Sequence, residues 1–279
     1  MSLFGQKWVK VNFMKSSIRF LLILNFALHV TVTMAAESFE SNNWLVDISR
    51  RLNKAYSLGE IENVYTIRSE LLASVENDRV EAVDTNLVRY YVAMTYYRQG
   101  LVLGQQGAEA LRTCIDQTLQ LTLQSPDFIE GYILQAACAG ALIPMRPEQV
   151  LALSKVSNDA LVKSARLTSN NPRLLLINAI SLLFAPPQFG GGKKPALEKL
   201  DISIKLFEAS RQDNDSLPIW GLDEAYTWQG IIYSLDNRHD EAKASLQFAV
   251  SVNPDNLWVR EILMPKVVKQ ESLAPMLGI

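Results

Sequence analysis

Histidine and cysteine are scarce in this chain, with two of each among 279 residues. His29 falls in an apolar N-terminal stretch, which leaves His239, between Arg238 and Asp240, as the single imidazole of the remaining sequence. One turn histidine builds neither a zinc site nor a Ser–His–Asp relay, because both need several convergent groups. A basic excess is also missing. Setting aside Lys7, Lys10, Lys15 and Arg19 leaves 23 basic against 29 acidic residues, which argues against a nucleic-acid partner. The apolar run from Phe20 to Val32 is short of the roughly 20 residues of a spanning helix, and Asn25 and His29 interrupt it. No stretch alternates apolar and polar residues with a period of two, so no sheet is expected.

What stands at the N-terminus has the three parts of a secretory signal. A basic start, Met14-Lys15-Ser16-Ser17-Ile18-Arg19, leads into the apolar run. Thr33-Met34-Ala35-Ala36 then supplies small residues for a peptidase. Cleavage is expected near Ala35 or Ala36, and Met14 is an alternative start. No cysteine follows the run to carry a lipid. The expected division is a signal peptide over 1–36 and one helical repeat domain over 37–279, exported to a periplasmic or equivalent compartment. Contact with a membrane is expected through the signal alone.

From Asn42 onward apolar residues recur at spacings of three and four, with breaks at Gly, Pro and Asn. The pattern predicts helices at 41–57, 60–75, 85–104, 107–124, 128–143, 147–169, 173–185, 194–210, 222–236, 239–252 and 255–269. Short connections make antiparallel pairs stacked in series the natural arrangement. Pro126, Pro172 and Pro254 each end one helix and fit the first turn of the next.

The segment Asp223–Pro254 resembles the tetratricopeptide repeat, a helix–turn–helix unit of about 34 residues. Tyr226, Gly230, Tyr233, Ala242, Leu246, Ala249 and Pro254 fall at the family's marked spacings. Gly230 and Ala242 allow close helix approach, and Asn237 replaces the usual turn glycine because it tolerates left-handed backbone. Ala93, Tyr96 and Gly100 fit the first helix of an earlier repeat. The resemblance implies an all-α fold, with antiparallel pairs stacked as an α–α superhelix.

A narrower resemblance lies in Pro187-Gln188-Phe189-Gly190-Gly191, Ala196-Leu197, Trp220-Gly221 and Glu224-Ala225-Tyr226. It looks like a bacterial envelope subgroup that includes the periplasmic partner of tripartite ATP-independent transporters. The Gly-rich stretch is not a phosphate loop. That motif needs a Gly five residues ahead of the Gly of its Gly-Lys pair and Ser or Thr after the Lys, where this chain has Pro187 and Lys194. Asp213-Asn214-Asp215-Ser216 lacks the further oxygens and closing Glu of a calcium hand.

No cofactor or metal site is therefore expected. No Asp or Glu stands in a visibly apolar stretch that would raise its pKa, so an enzyme ranks last among the functional readings. Contact residues are the better candidates. Tyr90, Met94, Tyr97 and Arg98 share one side of their helix. Tyr and Arg are types that dominate binding hot spots, though helix packing would use the same stripe. In the last repeat the equivalent positions are Glu224, Thr227, Ile231 and Ser234. The leading expectation is a scaffold binding a protein or peptide in its concave groove, with a small molecule second. Finally, Cys114 and Cys138 each lie twelve residues from Pro126. That spacing puts them level in a hairpin and within reach of a disulfide, provided the Ala- and Gly-rich surroundings of Cys138 let the helices close up.

Overall fold

The computed structural model describes residues 44–76, 85–210 and 217–278. The expected signal segment 1–36 and the acidic loop Asp213–Ser216 lie outside them. Among the described residues there are helices and turns and no strands, as the periodicity requires. Helix α1 covers 44–58, and α2 Ile61–Glu76. Next come α3 Thr85–Leu103, α4 Ala108–Gln124, α5 Ile129–Leu142 and α6 Val150–Leu167. Then follow α7 Pro172–Phe184, α8 Lys193–Ser210, α9 Leu222–Leu235 and α10 His239–Val252.

Consecutive helices pack as antiparallel pairs, and α3, α5 and α7, the first members of successive pairs, touch one another. The chain is an all-α superhelix of stacked pairs. No described helix is long and apolar enough to cross a membrane.

Local chemistry explains the ends of these helices. Asn171 caps α7 by accepting from the Arg173 and Leu174 amides at 2.9 and 3.1 Å, with Pro172 in the first turn. The turn between α9 and α10 places Asn237 at φ 58°, the left-handed geometry expected of it. Within that pair a Cβ on Gly230 would stand 2.8 Å from a Leu246 methyl and 3.1 Å from the Ala242 carbonyl, so only glycine lets the helices approach this closely.

The helix expected at 255–269 is corrected in detail. Trp258–Leu263 winds as a wide π turn, and α11 begins at Met264. Pro265 has no amide to donate and its ring crowds the preceding turn, which the wider winding relieves. A last short turn, α12, covers Ala274–Leu277.

Cys114 of α4 and Cys138 of α5 are joined by a disulfide, with Cα atoms 6.1 Å apart and both residues fully buried. It staples the second helix of one pair to the first helix of the next. Ala136, Ala137 and Ala139 are buried around it, small enough to bring the axes together.

Candidate functional site

The inner side of α3 does not face solvent. Tyr90, Met94, Tyr97 and Arg98 are all buried, Arg98 with 1% of its surface exposed, and so are Thr227, Ile231 and Ser234 of α9. This is the helix-packing use that the same stripe allowed. Tyr56 of α1 and Trp220 lie against it.

At the centre of the contact Arg98 Nη2 donates to Glu224 Oε1 at 2.7 Å. Three aromatic rings wall the guanidinium, with centroids at 4.1 Å for Tyr56 of α1, 5.4 Å for Trp220 and 5.5 Å for Tyr97. Cation–π attraction holds such a stack best when water is excluded. Arg98 Nε and Nη1 are buried and find no acceptor among the described residues.

The stretch 217–221 is threaded over this inner face and pinned from several sides. Trp220 Nε1 donates to the Tyr90 hydroxyl at 2.7 Å. Asn53 of α1 donates to the Ile219 carbonyl, and Arg173 Nη1 of α7 donates to the Pro218 carbonyl at 2.9 Å. Arg173 is itself held by Glu130 of α5, through Nε to Oε2 at 3.0 Å and Nη2 to Oε1 at 2.8 Å. Gly221 then opens α9 at φ 114°, and a Cβ there would meet the Phe207 ring at 2.5 Å, so both backbone and space demand glycine. Asp223 is turned aside from Arg98 by amide donors, accepting from Asn253 at 2.8 Å and Asn256 at 3.3 Å. Asn253 also reaches Ser57 of α1 at 2.8 Å, tying the first helix to the last pair.

Burial sets the protonation of this cluster. It raises Tyr56, Tyr97 and Tyr90 well above the ordinary tyrosine range and Tyr91 to about 12, so all four are neutral phenols. Burial lowers Arg98, but the groups facing it, Glu224 first among them, together outweigh that and keep it charged. For Glu224 burial dominates and raises its pKa despite the facing guanidinium, with Asp223 adding to the rise.

Sequence reasoning missed that carboxylates lie inside: Glu130 is buried and Glu224 keeps only 13% of its side chain exposed. Each sits in the first turn of an inner helix beside apolar neighbours, a signal that reads as ordinary N-terminal acid. Tyr56, Arg173 and Asn53 were also invisible, since nothing local distinguishes them from surface residues. Among the described residues no three His, Cys, Asp or Glu side chains gather as metal ligands. The Pro187–Gly192 stretch is a tight turn, closed by the Gly190 amide on the Pro187 carbonyl at 2.9 Å and the Gly192 amide on the Leu182 carbonyl at 2.7 Å.

Neither a family profile nor a curated protein sequence matches this chain. Solved structures that resemble it include the following two. A thermophilic TPR protein of Thermus thermophilus superposes with a TM-score of 0.55 at 18% identity, over 80% of this chain and 98% of its own. The HusA haemophore of Porphyromonas gingivalis superposes with a TM-score of 0.52 at 22% identity, over 64% of this chain and 87% of its own. Likeness at such identity concerns the backbone, and it establishes that the chain has a TPR-like helical fold.

Proposed function

We propose that this chain is an exported, non-catalytic binding protein that holds a small molecule at its inner face around Arg98. The observation that supports it is a buried guanidinium with two unsatisfied nitrogen donors inside a wall of aromatic rings. A small-molecule carrier was the second expectation from sequence, behind a peptide in an open groove. Burial of Tyr90, Met94, Tyr97, Arg98, Thr227 and Ile231 supports placing a small enclosed ligand ahead of a polypeptide lying along the face, which would need them exposed. The haemophore shows, for its own part, a protein of similar fold named for carrying a small molecule. The Pro-x-x-Gly-Gly resemblance to a transporter-associated periplasmic protein points the same way. The disulfide supports an oxidising compartment, in line with the secretory reading of the first 36 residues and with a single mature domain after them.

Native mass spectrometry of protein purified from the cell envelope tests this reading. A bound mass of small-molecule size supports it. A co-purifying polypeptide returns the chain to the scaffold reading, with Glu224 and its neighbours as partner contacts.

A further inference from the structure

We infer, resting on the carrier reading, that the inner site selects a ligand with an anionic head (a carboxylate, sulfonate or phosphate). Arg98 holds the head, and Glu224 takes up a proton as the anion arrives.

The donor inventory leads there. A guanidinium carries five N–H groups in a fixed plane and accepts nothing. Arg98 commits one contact to Glu224 Oε1, and its Nε and Nη1 remain without an acceptor among the described residues. The rings of Tyr56, Trp220 and Tyr97 stand about the guanidinium and exclude water from it, which strengthens its pull on an anion. Only an acceptor can satisfy the free donors, and a charged acceptor makes the stronger bond to a guanidinium.

Charge balance completes the case. The titratable groups facing Arg98 are Tyr56 from α1, Tyr97 from α3, and Asp223 and Glu224 from α9. The two phenols are neutral, and Asp223 is held by Asn253 and Asn256. Among the described residues Glu224 is the carboxylate bonded to Arg98, and burial raises its pKa. An incoming anion therefore replaces the Glu224 charge: one negative head enters, one proton enters with it, and the net charge around Arg98 is unchanged.

The experiment compares two fluorescent probes with the same rings, anilinonaphthalene sulfonate and its uncharged analogue phenyl-naphthylamine, by equilibrium titration of the full mature chain. The sulfonate is expected to bind about tenfold tighter or better, the worth of a hydrogen bond to a charged group. Its affinity is expected to rise as the pH is lowered from neutral, while that of the uncharged probe stays flat. Arg98→Met should erase the preference. Should that variant fail to fold, Glu224→Gln decides: it should tighten sulfonate binding at neutral pH and abolish the pH dependence. Equal affinity for the two probes, or a pH dependence that survives Glu224→Gln, overturns the anion site. A neutral small molecule found by native mass spectrometry overturns it too but leaves the carrier reading standing. No bound small molecule and no probe binding removes both.

Discussion

Arg98 and Glu224 are 126 residues apart in the chain, yet their side chains meet at 2.7 Å in the interior, with 1% and 13% of their surfaces exposed. This pair ties α3 to α9. Removing one partner strands the other charge in a dry setting. Arg98→Ala is expected to destabilise the fold by about 3–5 kcal/mol, read from urea denaturation midpoints. Glu224→Gln, which keeps shape and a hydrogen-bonding oxygen, should cost clearly less. Equal costs would mean that the charge of the pair, rather than its shape and hydrogen bond, carries this contact.

Tyr97→Ala separates the buried position from a surface one. A groove residue could be truncated with little change in melting temperature. Tyr97 is 6% exposed, so the expected loss is about 3–5 kcal/mol, as for large aromatics removed from cores. A melting temperature within error of the parent would restore the surface reading.

The disulfide closes a loop with a sequence separation of 24. In the chain-entropy account such a loop stabilises by about 3–4 kcal/mol. The double variant Cys114→Ser, Cys138→Ser should lose about that much in chemical denaturation. Thiol titration of unreduced, denatured envelope protein should find no free thiol.

Acid should loosen the first helix pair. Glu70 of α2 accepts from Arg51 at 2.8 Å and from Trp44 Nε1 at 2.9 Å, and chiefly the Arg51 hydrogen bond depresses its pKa below 4.5. A carboxylate depressed in the folded state stabilises at pH above its unfolded value. That contribution is lost as pH falls through the lower folded value. The Glu70 side chain is 36% exposed, so screening limits the effect to under about 1 kcal/mol. Stability measured below and above pH 4.5 should differ less in Glu70→Gln than in the parent, with Trp44 fluorescence reporting the local change.

Secretion is tested at the N-terminus. Sequencing of the mature envelope protein should begin just after Ala35 or Ala36. A chain still starting at Met1 or Met14 would show that the segment is retained.

The helix pairs, their turns and the Cys114–Cys138 staple were legible because each rests on local chemistry. Apolar spacing defines a helix face, Pro172 and Asn171 mark a helix start, and equal distances from Pro126 set two cysteines level. The site was legible only in part. Tyr90, Met94, Tyr97 and Arg98 do share one side of α3, and Glu224, Thr227 and Ile231 one side of α9, but what covers those sides is no local property. Periodicity tells which residues share a face and is silent on the curvature that accumulates as pairs stack. By itself the sequence determined an all-α repeat chain with its pairing and its covalent link. Only the tertiary structure decided what covers the inner side of α3. Glu224 of α9 reaches Arg98 across 126 residues of sequence, and Trp220 from the stretch 217–221 bonds Tyr90. These long-range contacts place a charged guanidinium among aromatic rings, where one carboxylate leaves two of its nitrogens unanswered.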